Sequence, residues 1–153
     1  MASQKIDYAF LARRAQRDLP ELYNRLHNEL MQLEKQTVND IDTLPGSFDL
    51  FRTLVNEVPN KLQGKRCSQK ESAFRRLFIA VAYQLYDPVY FNNFTLRARD
   101  KMRALMAESL CCCKEWISAV IESIRFEYKE IDEFRMQVDL LVYCIRMQGK
   151  HLA

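Results

Sequence analysis

The residues of this sequence best suited to chemistry are its cysteines, three of which are consecutive. The triplet at 111–113 stands apart from Cys67 and Cys144. Thiolates bind zinc when four ligands converge on a tetrahedral site, whereas successive side chains of a helix point about 100° apart. The triplet therefore favours free, small apolar side chains over a metal site. A redox-sensing thiol is the alternative, because Lys114 follows directly and a nearby cation activates a thiol.

Other residues that commonly support catalysis are sparse. His27 and His151 are the two histidines, and neither His-Glu-x-x-His nor Glu-x-x-His is present. The glycines Gly46, Gly64 and Gly149 lie far apart, so the chain has no phosphate-cradling loop, dinucleotide fingerprint or nucleophile elbow. We therefore expect no enzyme, no cofactor and no bound metal.

Positive charge is concentrated in the middle third of the chain. The net charge is +3, but residues 61–103 carry ten basic and three acidic side chains, whereas residues 104–139 carry four and eight. Aromatic residues are interleaved with the cations, a combination typical of proteins that hold a nucleic-acid backbone and stack rings on its bases. The candidate nucleic-acid-binding cations are Lys61, Lys65, Arg66, Lys70, Arg75, Arg76, Arg97, Arg99, Lys101 and Arg103, and the interleaved aromatics are Phe74, Tyr83, Tyr86, Tyr90, Phe91 and Phe94.

The same segment also has a purely structural interpretation. Phe74 and Phe78 lie on a helical apolar stripe, which is typical of core residues. The cations then form a solvated face, partly neutralised by the acidic helix that follows. Both interpretations remain open from the sequence.

The longest predicted helical segment runs from Thr95 to Gln148. It contains neither proline nor glycine, and its apolar residues recur at helical spacing. As one straight helix, its 54 residues would measure about 80 Å, whereas a domain of this size has a radius of gyration of about 15 Å. We therefore expect breaks at the triple cysteine and at the polar run 129–132, where Asp132 would cap a new helix.

Further helices are predicted before this segment, and they define the fold class. The 48% hydrophobic content, the scarcity of glycine and proline, and the absence of strand-type alternation all favour an all-α fold. We predict a single-domain helical bundle over residues 1–153, with about five to six helices and one or two long C-terminal helices. The upstream helices are expected over residues 6–17, from near 19 to 36 after an Asp18 cap, from a Ser47 cap to before Pro59, and over 69–86, where Asp87 and Pro88 end the last of them.

The apolar stripe of the long segment suggests self-association. Isoleucines and valines recur every seven residues from 117 to 145, a spacing that suits both a bundle helix and a coiled-coil seam. The candidate interface residues are Leu110, Trp116, Ile117, Ile121, Ile124, Tyr128, Ile131 and Val138.

These observations give one leading function and one alternative. The longest uncharged run, residues 77–86, is about half of what a bilayer-spanning helix needs. The odd number of cysteines and the lack of a secretion signal favour a reducing compartment, so we expect a cytoplasmic protein. The leading hypothesis is a small regulatory or accessory protein that acts by protein-protein interaction and associates with itself. The alternative is a nucleic-acid-binding protein that uses residues 61–103.

Overall fold

Helices are the only regular structure in the part of the chain that the structure describes, which confirms the predicted all-α class. The structure is a computed structural model, and it describes residues 13, 14, 16–25, 28, 32, 37–55, 69–92 and 97–149. The chain forms two compact units, Met1–Gln36 and Thr37–Ala153.

The first unit is helical on both sides of Leu19. Residues 16–18 and 20–25 are helical, and the Tyr23 N–H donates to the Leu19 carbonyl oxygen over 3.0 Å. The Asp18 carboxylate accepts from the Arg17 guanidinium at 3.0 Å. The predicted new helix near Leu19 therefore agrees with the described residues.

The second unit contains, within its described residues, one 3-10 turn and six α-helices. The predicted helix at 69–86 is observed and ends at Tyr86 as predicted, while the residues before Gln69 lie outside the described ones. A short helix follows at once, because Pro88 occupies the first helical position, where its missing N–H costs nothing. The elements are η1 Ile41–Thr43, α1 Leu44–Leu54, α2 Gln69–Tyr86, α3 Pro88–Asn92, α4 Met102–Leu110, α5 Lys114–Glu130 and α6 Asp132–Gln148.

Helix α2 lies at the centre of this unit. Every residue from Phe78 to Tyr86 is buried, so its second half has no solvent face. A helix that is buried on all sides needs neighbours all round, and α2 packs against α1, α3, α4, α5 and α6. Its broad apolar face is the one typical of a central helix in a bundle.

Four phenylalanine rings join α1 to α2. Phe48 packs edge-on against Phe78 with ring centres 4.8 Å apart, and Phe51 lies 5.1 Å from both Phe74 and Phe78. Tilted and edge-to-face contacts match the quadrupoles of the rings and add about 0.5–1.5 kcal/mol per pair to the burial of apolar area. The Ser47 hydroxyl, predicted to cap this helix, instead lies inside it and is hydrogen-bonded to the buried Tyr86 hydroxyl at 2.7 Å.

The long C-terminal segment breaks twice, as expected. Cys111 leaves α4 in a left-handed conformation with φ 53°, and the N–H of Cys112 closes the turn on the Ala107 carbonyl oxygen. One extended residue, Ile131, separates α5 from α6. These breaks fold three helices against α2, so the segment needs no 80 Å rod.

The predicted starts of these helices need correction. Asp132 is the first residue of α6 and the N-cap is Ile131, which makes no side-chain capping bond. Thr95 lies outside the described residues, residues 97–99 are not helical, and α4 begins at Met102 after a left-handed Lys101. At the other end, Gly149 is the C-cap of α6, and its N–H donates to the Ile145 carbonyl oxygen.

Candidate interaction surfaces

A positively charged cavity lies beside the first turn of α4. It has a volume of about 490 Å³ and is lined by the 97–101 connection, the start of α4 and one face of α5, with Tyr83 and Tyr90 among its walls. We call it the basic cleft. Two carboxylates also line it, from Asp100 and Glu122. The cationic side chains that line the cleft are Arg97, Arg99, Lys101, Arg103, Lys114 and Arg125.

Arg125 is the most deeply placed of these cations. Its side chain is 5% exposed, and its guanidinium lies over the Tyr90 ring, 4.2 Å from the ring centre. Its Nε donates to the Phe91 carbonyl oxygen at 3.3 Å and one terminal nitrogen donates to the Tyr90 carbonyl oxygen. These contacts to α3 hold the planar group in one orientation, which suits a guanidinium that presents several donors in a fixed geometry.

Two further cations of the cleft lie where α4 begins. The Arg103 guanidinium donates to the Ser118 hydroxyl at 2.6 Å, which ties the first turn of α4 to α5. Lys101 is the N-cap of α4, with φ 68° and no capping bond from its side chain. A lysine in this left-handed conformation costs roughly 1–2 kcal/mol relative to the right-handed region.

Lys114 and Arg125 were missed by the sequence interpretation, because both belong to the helix that is acidic overall. A signal for them was present. Lys114, Ser118, Glu122 and Arg125 follow one another at steps of four, four and three, which places them on a single helical face. Net charge over the whole helix conceals such a face.

The other predicted nucleic-acid contacts that the structure describes lie away from the basic cleft. Lys61, Lys65 and Arg66 lie outside the described residues, and Lys70 is exposed on the first turn of α2. Arg75 is buried beneath the Trp116 ring, with its guanidinium carbon 6.0 Å from the ring centre.

Arg76 and Arg99 are engaged with the protein itself. Arg76 forms an ion pair with Glu127 and also donates to the Ser123 hydroxyl at 2.6 Å. Arg99 donates to three backbone carbonyl oxygens, those of Val38, Tyr86 and Asn39. Of the predicted cations, the cleft therefore brings together Arg97, Arg99, Lys101 and Arg103.

The interleaved aromatic rings lie mainly in the core. Phe74, Tyr83, Tyr86 and Phe91 are buried, and Tyr90 is half-buried under the Arg125 guanidinium. Tyr83 lies parallel to Phe91 with ring centres 6.0 Å apart. Phe94 lies outside the described residues. The described rings thus have protein on their faces, where base stacking would need open surface.

The predicted interface stripe also turns out to line the core. Half of its eight members have no accessible surface, because α5 and α6 fold back on α2 and bury the stripe within the chain. The stripe is broken at Ile131, which is 46% exposed in the extended junction. Leu110, Ile117, Ile121, Ile124 and Val138 are buried, while Trp116 and Tyr128 are partly buried against the same core.

A second apolar stripe, on the opposite side of α6, is exposed. Met136, Leu140, Tyr143 and Met147 are 52–69% exposed, and they follow one another at steps of four, three and four. At 100° per residue these side chains fall within about 60° of one another. We call them the outer face of α6. The sequence interpretation missed them because it followed only the seven-residue series.

Two more large apolar side chains are exposed near the junction of α5 and α6. Phe126 is 63% exposed and lies five residues before Ile131, and Met136 lies five residues after it. An open groove of about 760 Å³ borders the same helix and is lined by Leu77, Phe134 and Leu140 among others. Exposed apolar area therefore extends from the junction along α6.

The triple cysteine forms the turn between α4 and α5. Cys111 and Cys113 are exposed free thiols, and Cys112 is partly buried. No group of three metal-binding side chains occurs within the described ranges. The helices of those ranges are also too short or too polar to span a bilayer.

No protein-family model, no curated protein and no solved structure matches this chain. The basic cleft and the outer face of α6 are therefore the features of this chain that bear on its function.

Proposed function

We propose that this protein acts by protein-protein interaction and that the outer face of α6 binds a second copy of the chain. The observation that supports this most directly is an uninterrupted row of large apolar side chains, Met136, Leu140, Tyr143 and Met147, all more than half exposed. Rows of this kind are uncommon on monomeric surfaces and mark sites of association. A binding role, with no reaction, is the function assigned.

The two sides of α6 support this assignment. Val138, Val142 and Ile145 are buried against the core, and the outer face lies on the opposite side of the helix. A helix that is apolar on both sides is typical of one that is covered on both sides. The inner side is covered by α2 and its neighbours. A partner is therefore expected on the outer side.

The spacing of the outer face favours a second copy as the partner. Steps of four, three and four residues are the same in both directions along the helix. In an antiparallel pair, Met136 of one copy faces Met147 of the other, and Leu140 faces Tyr143. A two-fold interface requires such self-complementarity, because each patch contacts its own copy.

Phe126 and Ile131 extend the contact beyond α6. The four side chains of the outer face span about 16 Å along the helix, which is short for a stable interface of roughly 1,200–2,000 Å². The exposed side chains at the junction add apolar area at one end of each helix. In an antiparallel pair they flank both ends of the contact.

A reducing, cytoplasmic environment belongs to the same proposal. Cys111 and Cys113 are free thiols, and both are exposed. Exposed thiols persist where glutathione and thioredoxin keep them reduced.

The test is the mass of the Leu140→Glu variant in solution. Placing a carboxylate in the middle of the apolar contact should weaken the dimer by about 3 kcal/mol, roughly a hundredfold, because the charge loses water without gaining a partner. Sedimentation velocity over a range of concentrations, in reducing buffer so that cystines cannot link the copies, measures the dissociation constant directly.

The matched control is Thr53→Glu, which introduces the same charge on an exposed position of α1. We expect this variant to dimerise like the parent chain. Circular dichroism of both variants should remain helical, since neither position is buried. A parent chain that is monomeric at every concentration, or a Leu140→Glu dimer of unchanged affinity, would contradict the proposal.

A further inference from the structure

We propose that the basic cleft binds a small anion that carries phosphate groups. The inference concerns a different surface from the outer face of α6 and does not depend on self-association. It rests on the convergence of cationic side chains from the 97–101 connection, α4 and α5 on one cavity.

The size and charge of the cleft define the class of ligand. A volume of about 490 Å³ lies within the range of small-molecule sites. Six cationic side chains and two carboxylates line it, so it is strongly positive at neutral pH. Like charges that share a low-dielectric cavity repel one another, and a multivalent anion relieves that repulsion. Phosphate groups supply both the charge and the several acceptor oxygens that guanidinium groups bind in pairs.

Two of the arginines are oriented before any ligand arrives. Arg125 is fixed by the backbone carbonyls and ring of α3, and Arg103 is fixed by the Ser118 hydroxyl. Preset donors lose little conformational freedom on binding, so more of the interaction appears as affinity. Lys101 and Lys114 add mobile charges at the rim, since both are exposed.

The start of α4 breaks two local rules within this cleft. Acidic residues are favoured at the positive end of a helix, yet Lys101 and Arg103 stand there and the first turn contains no acidic residue. Lys101 also adopts a left-handed conformation that favours glycine. Both costs fall on residues that line the same cavity, and local rules are most often broken at functional sites.

A small ligand is favoured over a nucleic-acid strand because of the rings. Tyr83 is 1% exposed, and Tyr90 is covered on one face by Arg125. Single strands bind through successive bases stacked on open aromatic faces along a groove. Here the cations surround one cavity, and the two rings that line it are packed against protein.

The test uses inorganic pyrophosphate as the probe, titrated into the full chain by isothermal calorimetry without divalent cations. We expect one saturable site per chain, whose affinity falls several-fold as NaCl rises from about 50 to about 300 mM, because a partly open cleft is screened by salt. Pyrophosphate should also raise the melting temperature in proportion to the logarithm of its concentration at saturation.

Lys101→Gly is the most discriminating variant. It removes one cation from the cleft and also removes the side chain that is strained at φ 68°. We therefore expect the affinity for pyrophosphate to fall about tenfold, while the melting temperature without ligand stays equal or rises. Loss of binding through misfolding would lower both quantities, so the two explanations are separable.

A second variant and a control complete the design. Arg103→Gln removes an exposed guanidinium and should also weaken binding about tenfold. Lys129→Gln removes an exposed cation at the far end of α5, outside the cleft, and should bind like the parent chain.

Four results would overturn the assignment. The first is no saturable binding at low salt, and the second is an unchanged affinity in both cleft variants. The third is sulfate that binds as tightly as pyrophosphate. The fourth is oligonucleotides without a terminal phosphate that bind more tightly than pyrophosphate, with an affinity that grows with their length. The last result would make the cleft part of a nucleic-acid interface.

Discussion

Arg99 shows the difference between a cation exposed on the surface and a cation that holds the chain together. Its backbone N–H donates to the Asp87 carboxylate at 2.7 Å, and its guanidinium reaches the Val38 and Tyr86 carbonyl oxygens at 2.8 and 3.2 Å. One side chain thus joins the residues before η1 to the end of α2. Arg97, two positions earlier, has a side chain that is 91% exposed, and its guanidinium lies 3.6 Å from the carboxylate of the similarly exposed Asp100.

Replacing Arg99 with lysine should therefore lower the free energy of unfolding by about 2 kcal/mol. Lysine keeps the charge but cannot donate to several carbonyl groups with one rigid fork, so partly buried acceptors lose their partners. Guanidinium chloride denaturation measures the change. The matched variant Arg97→Lys should stay within about 0.5 kcal/mol of the parent chain. Equal losses in the two variants would show that Arg99 is an ordinary surface cation.

Two buried tyrosines lower the stability of the fold at alkaline pH. Burial raises the pKa of Tyr83 well above its ordinary value of 10.0, and burial raises the pKa of Tyr86 in the same direction. The folded state therefore keeps these protons at a pH where the unfolded state has lost them. Stability is fully present below pH 10 and falls as pH rises above it, by up to about 1.4 kcal/mol per pH unit for each tyrosine.

The Tyr83→Phe variant tests this pH dependence. Between pH 10 and pH 11.5 its free energy of unfolding should fall less steeply than that of the parent chain, by about 1.4 kcal/mol per pH unit. Denaturation at a series of pH values gives both slopes. Parallel slopes for Tyr83→Phe and the parent would mean that Tyr83 does not contribute to this loss of stability.

At the scale of elements, the turn between α4 and α5 carries two separate backbone requirements. Cys111 has φ 53°, a conformation that glycine adopts without cost, and Cys113 is an extended N-cap without a capping bond from its side chain. Glycine is favoured after a helix and serine before one. The cysteines satisfy neither preference, so the turn is less stable than its geometry permits.

Cys111→Gly and Cys113→Ser should each stabilise the chain by about 0.5–1 kcal/mol. The first relieves the left-handed strain, and the second supplies an oxygen that accepts from the first turn of α5. The exchanged pair, Cys111→Ser and Cys113→Gly, introduces the same residues at positions where neither mechanism operates. These two variants should stabilise the chain less. Chemical denaturation of the four variants measures the free energy of unfolding of each. If position makes no difference, the backbone argument fails.

The elements also show what the sequence could predict. The helix at 69–86 was predicted together with its end at Tyr86, because its apolar face is broad and Asp87 and Pro88 stop it. The seven-residue series correctly marked buried residues such as Ile117, Ile124 and Val138. Periodicity cannot tell a chain's own core from a partner's surface, so these residues were assigned to an interface.

The positions that periodicity could not reach depend on tertiary structure. The left-handed Lys101 is such a case, because lysine as a residue type has no preference for the left-handed conformation. The convergence of Arg103 with Lys114 and Arg125 also arises only when α4 folds back on α5. The exposed stripe that includes Leu140 was visible as a pattern, but its exposure depends on which side of α6 meets α2.

At the scale of the whole molecule, the second unit contains the entire described hydrophobic core. Its buried apolar residues run from Val38 to Ile145, and none of the described residues of the first unit belongs to that cluster. We expect a fragment of residues 37–153 to unfold cooperatively and with a free energy within about 1 kcal/mol of the full chain. Denaturation of both proteins tests this, and a fragment without a cooperative transition would contradict it. That the chain is one domain stays a prediction.

Trp116 gives the molecule an optical reporter of its own. It is the single tryptophan, it lies in the first turn of α5, and the Arg75 guanidinium of α2 covers its ring. Indole emission from this protein therefore comes from one place, where α5 meets the central helix, and it changes when that cation moves away. Unlabelled protein can thus report in real time whether the second unit is intact, while the emission contains no tryptophan signal from the first 36 residues.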